Sequence, residues 1–233
     1  MKLDAKGHLL SQFGTFGEHN GQFDSPMGIA IGPNDNIYVC DEKNHRIQVF
    51  NSNGGFLSKF GTKGEGNGEF SNPYGIAVSS KGIIAVTDNN NHRVQIFSSP
   101  GNFRRTFGTK GMDDGQFKFP YGIAIDSNDN IIVSDNNNHR IQVFNLNGTF
   151  LFKLGNHGQN VGQLSFPCHI SVDQDDRILV ADRGNNRIQA FDSDGHVTIL
   201  SEKNLRSPRA VQVHPKNKSI IVCDSGHNRI LIF

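Results

Sequence analysis

"DEKNHRIQVF", residues 41–50, returns as "DNNNHRVQIF" at 88–97 and "DNNNHRIQVF" at 135–144, then more loosely as "DRGNNRIQAF" at 182–191 and "DSGHNRILIF" at 224–233. Five copies of one decapeptide imply five copies of one structural unit. A short apolar segment precedes each copy: "GIAI" (28–31), "GIAV" (75–78), "GIAI" (122–125), "HISV" (169–172) and "AVQV" (210–213). The first three intervals between them are 47 residues and the last is 41. The second unit divides into "GIAVSS", "IIAVTD", "RVQIFS" and "NFRRTFG", separated by Gly, Asn, Ser and Pro. β-Branched content and turn residues at every break mark each segment as a strand, and no window has the period of an amphipathic helix. Four antiparallel strands repeated at this period predict an all-β fold: a β-propeller of five blades, with residues 1–233 as a single domain.

The two ends bear on how such a ring closes. "GHLLSQFG" (7–14) matches the fourth-strand segments "GGFLSKFG" (54–61) and "GTFLFKLG" (148–155), whereas "RILIF" (229–233) matches a third strand. The expected closure has the N-terminal strand complete the last blade, which removes the exposed sheet edges. A six-bladed ring with one blade missing is the alternative.

Composition narrows the function. The 233 residues carry 23 Lys and Arg against 22 Asp and Glu, a formal net charge of +1. Bulk charge therefore does not hold this chain to nucleic acid, and no DNA partner is expected, although a locally basic face is compatible with it. Cys40, Cys168 and Cys223 are odd in number and have no paired spacing, which fits a reducing compartment. The N-terminus "MKLDAKGHLL" has no long apolar run, so neither a signal peptide nor a membrane span is expected, and a cytoplasmic location is.

Residues present in every unit serve the scaffold, because a ligand rarely has five-fold symmetry. These are Asp41, Asp88, Asp135, Asp182 and Asp224 with Arg46, Arg93, Arg140, Arg187 and Arg229; Asn44, Asn91, Asn138 and Asn185 recur in four units. Aspartate and asparagine bind backbone N–H groups in tight turns, and arginine offers a planar donor fork to carbonyls and carboxylates.

"NHRIQVF", a preceding strand ending in Asp and a following "GTKGEGNGEFSNPYGIAV" together resemble the NHL repeat, and over nearly the whole chain resemble the propellers that end the tripartite-motif (TRIM-NHL) proteins. That resemblance implies a recognition head for RNA, single-stranded or hairpin, or for protein partners. It also implies that any ubiquitin-ligase chemistry lies in RING and B-box segments, which three scattered cysteines cannot supply. Propellers of that family usually have six blades, against five counted here.

Ligand contacts are sought where the copies disagree. The residue before the innermost strand is Met27, Tyr74, Tyr121, Cys168 and Arg209 in turn; the pair after the repeated Asp is Glu42-Lys43, Asn89-Asn90, Asn136-Asn137, Arg183-Gly184 and Ser225-Gly226. These loops crowd around one mouth of a propeller channel. Tyrosine faces stack on unpaired bases, asparagine reads base edges, and Arg209, Arg183, Lys43, Lys63 and Lys110 supply charge for phosphates. The expected ligand face is thus Tyr74, Tyr121, Arg209, Lys43, Arg183, Asn89, Asn90, Asn136, Asn137, Lys63 and Lys110. The same aromatic and arginine groups also make protein hot spots, and Tyr74 and Tyr121 alternatively plug the channel by packing on each other. Glu42, Glu65, Asp113 and Asp114 dilute the positive charge of this rim.

An enzymatic reading takes His169, His214, Asp126 and Asp173 as ligands of a metal-dependent hydrolase or lyase, but their strand positions divide them between the two ends of the channel. "GTKGEGNG" is glycine-rich yet joins two strands and opens no helix, so it does not read as a dinucleotide loop. The expectation is a non-enzymatic module without metal or cofactor, with RNA ahead of protein as partner.

Overall fold

The computed structural model describes residues 2–3, 7–201, 204–214 and 217–233. Period-2 segments bounded by turn residues become strands throughout, and the only helices among the described residues are single 3-10 turns. The first blade is Pro26–Ile31, Ile37–Asp41, Arg46–Phe50 and Phe56–Phe60, from the channel outward. Blades two to four repeat it with inner strands Pro73–Val78, Pro120–Ile125 and Pro167–Val172, each the edge of a four-stranded antiparallel sheet. The fifth consists of Pro208–Val213, Ile220–Asp224 and Arg229–Ile232. The fold is a five-bladed propeller.

The core lies between blades. Ile47, Val49 and Phe60 of the first blade pack with Ile84, Val86 and Phe97 of the second, and equivalent side chains fill the later boundaries. A phenylalanine ladder ties each outer strand to the next blade: Phe60 lies 4.9 Å from Phe97, and Phe107 lies 4.7 Å from Phe144, between ring centroids. Such contacts add to plain area burial. Glycine at 28, 75 and 122 lets adjacent inner strands approach closely; a Cβ on Gly75 would fall against the Tyr121 carbonyl oxygen.

The expected closure by residues 7–14 is not formed. Leu9–Ser11 pairs with Lys2–Leu3 (Lys2↔Ser11, Leu3↔Leu9), and Arg229–Ile232 pairs only with Ile220–Asp224 among the described residues. Phe13 does seat on Phe50 at 4.9 Å, as Phe60 seats on Phe97. The fifth blade, however, does not reach that position: adjacent inner strands pack together from Pro26–Ile31 round to Pro208–Val213, but the first and last do not pack in this way. Close inner-strand contact sets each of the four steps from blade to blade, and these leave the first and last inner strands apart.

Candidate recognition face

The repeated Asp and Arg build the loop end of every blade. In the second blade, the Asp88 carboxylate accepts from Ser71 N (2.7 Å), Asn91 Nδ2 (2.9 Å) and Arg93 Nε (2.7 Å). The Arg93 guanidinium then donates to the Glu65, Gly66 and Glu69 carbonyls at 2.6–2.9 Å. One buried carboxylate and one planar fork thereby fasten the turn between strands two and three to the loop that enters the blade. Asp135 with Arg140, and Asp182 with Arg187, do the same at 2.8 and 2.9 Å. In the last blade, burial opposes the charge of Asp224, but the Arg206 amide, Arg229 and His227 outweigh it and hold the carboxyl at about 2.

A second device stitches blade to blade. His45, His92 and His139 sit at left-handed backbone positions, and each Nδ1 accepts the amide of Asn72, Phe119 or Phe166 at 3.0–3.1 Å. Asn186 does this for Ser207 with its side-chain oxygen (2.8 Å). An accepting Nδ1 requires the neutral Nε2–H tautomer. Burial lowers the pKa of all three histidines, helped by Lys63 at His45, by Lys110 at His92, and by His157 and Lys118 at His139.

These fastenings bring the divergent positions to one mouth of the channel. Tyr74 and Tyr121 pack with ring centroids 4.6 Å apart and planes tilted by 58°. Beneath them lies a cavity of about 190 Å³, whose walls include Met27, Tyr74, Tyr121, His169, Arg209 and Cys223. Burial raises both tyrosine pKa values; beside Tyr74, Glu42 adds to this and Arg209 opposes it. Both hydroxyls therefore remain neutral donors at physiological pH. Arg209 is exposed at the rim, and Arg183 acts on Tyr121 and Cys168, whose thiol burial pushes up to about 11.

The other expected ligand residues divide. Asn89 and Asn136 are buried, and each spends its Nδ2 on a carbonyl of the next blade, Pro120 O (2.9 Å) and Pro167 O (2.8 Å). They act as clamps under the face. Asn90 is exposed, with Nδ2 on Asn72 Oδ1 (2.9 Å), and Asn137 is half-buried. Lys43 is exposed, 3.8 Å from Asp24. Lys63 and Lys110 are exposed on the entry loops, beside His45 and His92 and away from the tyrosine pair.

An aromatic shelf on the same face was not anticipated. His139 lies 4.2 Å from His157 and 4.5 Å from Phe166, and Phe119 packs on His92 at 4.7 Å. Phe119 and Phe166 precede the inner-strand proline with φ of 56° and 47°, a conformation unusual for bulky residues. The signal was available: Ser25, Asn72, Phe119, Phe166 and Ser207 form another divergent column of the repeat.

The candidate metal ligands are not assembled. His169 stands in the channel with Nδ1 donating to Val211 O (3.0 Å), and its burial favours the neutral ring. Asp126 and Asp173 cap their own turns, accepting from Asn128 and Asn130, and from Asp175 and Arg177. No three His, Cys, Asp or Glu groups among the described residues converge to hold a metal ion.

Comparison with known families fits this geometry. The NHL repeat model matches residues 23–50, 70–97, 117–144 and 164–191, each match running from the entry loop to the end of the third strand. The chain carries four NHL repeats, one in each of the first four blades of its propeller. Similar curated proteins include Protein brain tumor of Drosophila melanogaster, 46% identical over 43 residues, and B-box type zinc finger protein ncl-1 of Caenorhabditis elegans, 49% identical over 43 residues. Each match covers 18% of this chain but only 4% and 5% of those proteins. Among solved structures, a streptogramin B lyase superposes with a TM-score of 0.68 at 19% identity, covering 89% of this chain and 68% of that one. The nidogen/laminin complex gives 0.66 at 19% identity, covering 92% and 81%. At such identities these likenesses concern the propeller fold alone.

Proposed function

We propose that this NHL propeller is a non-enzymatic, cytoplasmic recognition module whose loop face binds single-stranded or hairpin RNA. The observation that carries this reading is the Tyr74–Tyr121 pair over a cavity of about 190 Å³, with the Arg209 guanidinium exposed at its rim. An unpaired base stacks on such an aromatic platform while arginine holds the adjoining phosphate. Phe166 with His139 and His157 offers a second stacking surface on the same face, and Lys63 and Lys110 place charge along the route. Part of the acidic dilution is spent internally, since Asp114 pairs with Lys153 (2.7 Å) and Arg140 (3.6 Å).

The test is retention of a random RNA pool at low and physiological salt, alongside Tyr74→Ala/Tyr121→Ala and Arg209→Ala variants. Each lost stacking platform is expected to weaken binding by about five- to 150-fold, and the affinity to fall steeply with salt. Absence of retention at low salt would refute the RNA reading. A salt-tolerant protein ligand captured through the same tyrosines would instead favour a substrate-recognition role beside a RING-type ubiquitin ligase whose catalysis lies outside this chain. The half-buried, neutral tyrosine pair and Glu42 beside Tyr74 are what recommend that second reading. The distant lyase reading has fold likeness behind it but no donor cluster among the described residues.

A further inference from the structure

The phenylalanine ladder misses one step. Phe60 and Phe107 stand opposite Ile47 and Val94 on the outer strands of the first two blades, but at that register in the third blade, opposite Ile141, stands Leu154. The glycines of the neighbouring outer turns measure the gap. A Cβ on Gly101 would touch Phe60 at 3.4 Å and one on Gly148 would meet Phe107 at 2.8 Å, whereas one on Gly195 would find nothing within 4 Å. A cavity of about 480 Å³ opens there between the third and fourth blades, at the end opposite the loop face. Its apolar wall includes Ile132, Val143, Leu154 and Phe191, and Phe152 lies 47% exposed beside it.

The boundary between the second and third blades shows what fills such a position when the chain itself supplies it. Leu146 packs there into the same cluster as Phe107 and Phe144; its counterpart in the fourth blade is Ser193. Arg105 crosses to the Asn147 carbonyl (3.0 Å), where the third blade carries Phe152 instead. Lys81 reaches Asp129 (2.5 Å), and the corresponding residues one blade on are Asn128 and Asp176. Apolar bulk and two cations thus give way to a hole rimmed by Asp126, Asp175, Asp176 and Asp192. Asp126 and Asp176 accept from turn amides and from the Asn130 and Ser127 side chains, and Asp192 meets His196 at 3.3 Å. Among the described residues, the one Lys or Arg within ion-pair distance of these four carboxylates is Lys218, 3.6 Å from Asp175 with both side chains 64% exposed.

We infer that this inter-blade pocket is a docking site for an extended segment of a partner protein that carries an aromatic or leucine side chain next to arginine or lysine. The apolar side chain takes the place of the missing ladder ring against Leu154 and Phe191, and the cation pairs with Asp176 as Lys81 pairs with Asp129. The aliphatic stem of that cation covers Phe152 while its charge stays at the wet rim. The anchor supplies the affinity, and the carboxylates select the sign of its neighbours. This inference does not rest on the RNA reading, because the pocket lies at the other end of the blades and its carboxylates repel phosphate.

The probe is a blocked hexapeptide of alternating arginine and phenylalanine, titrated into the chain and followed by the amide chemical shifts of Asp176 and Ser193. Saturable shifts are expected at these residues and not at Tyr74 or Tyr121. Leu154→Phe restores the ring and Asn128→Lys supplies the internal cation; both copy the second blade, and thermal melts check that both fold. Each is expected to weaken binding about tenfold or more, as is replacing the peptide's phenylalanines by alanine or its arginines by glutamate. Unchanged affinity in the Leu154→Phe/Asn128→Lys variant, equal binding of the alanine peptide, or no saturable shift at about 1 mM peptide would each overturn the inference. The same shifts on raising the chain's own concentration without peptide would overturn it too, since they assign the pocket to a second copy.

Discussion

Replacing Asp135 by alanine puts the repeated Asp–Arg fastening to a quantitative test. Asp135 is inaccessible and accepts from Lys118 N (2.7 Å), Asn138 Nδ2 (2.8 Å) and Arg140 Nε (2.8 Å). Burial raises its pKa against these donors, so the folded protein has already met a desolvation cost that only the full donor set offsets. Alanine leaves the Arg140 charge, 8% exposed, with only the half-exposed Asp114 carboxylate at 3.6 Å, and strips an acceptor from the turn. Breaking a buried pair on one side costs about 3–5 kcal/mol. For a domain of this size that corresponds to a fall in Tm of roughly 6–20 °C. The last blade supplies the control, for Asp224 holds Arg229 with the same 2.8 Å bond but Arg229 is 42% exposed. Water re-solvates that guanidinium when its partner is removed, so Asp224→Ala is expected to cost about 1–2 kcal/mol, nearer the cost of leaving the Arg206 N–H donor of the turn unmet. Urea denaturation of both variants, analysed with a common m-value, reads the difference. Equal losses at 135 and 224, or a loss under about 1 kcal/mol at 135, would refute the argument that burial of the arginine sets the magnitude.

Further outcomes follow from the same contacts. The neutral histidines at 45, 92 and 139 have pKa values lowered by folding, so the unfolded chain binds more protons; stability is full above the unfolded value of about 6.5 and declines as pH falls below it. Denaturation midpoints between pH 8 and pH 5 should show this slope, and the triple exchange to asparagine, the residue already at 186, should flatten it; a slope that survives the exchange contradicts the assignment. Gly75→Ala would push its new methyl against the Tyr121 carbonyl and cost about 1–3 kcal/mol by overpacking, whereas Gly68→Ala meets no neighbouring atom and should lose only what its φ of +81° imposes. If thermal melts rank these two the other way, inner-strand approach is not what holds the blades.

The blades were legible in the sequence because each is a local object. "GIAV", "IIAVTD" and "RVQIF" carry their strand period, turn residues and apolar faces within one 47-residue unit, and Asp88 finds Arg93 five residues away. The channel-mouth positions were legible for a related reason: the loops recur, so Tyr74, Tyr121 and Arg209 stand out as the places where copies differ. The roles of Asn89 and Asn136 were not, since a divergent asparagine reads the same whether its amide faces solvent or the Pro120 and Pro167 carbonyls of the next blade. Phe119 and Phe166 escaped notice because a bulky residue before proline gives no hint of a left-handed backbone; the histidine of the preceding blade imposes that geometry.

Closure is where sequence and tertiary structure part. Five decapeptides determine five blades, and matching "GHLLSQFG" to "GGFLSKFG" determines that the N-terminal segment is an outer strand. Which blade completes the circle depends on the angle between neighbours, a sum of four interfaces that no single repeat encodes. Gly28, Gly75 and Gly122 draw the inner strands together, the phenylalanine ladder spaces the outer ones, and the accumulated step leaves Ile29 and Ile230 facing across an open seam. The unit is written in the chain; the angle at which units meet is decided by packing.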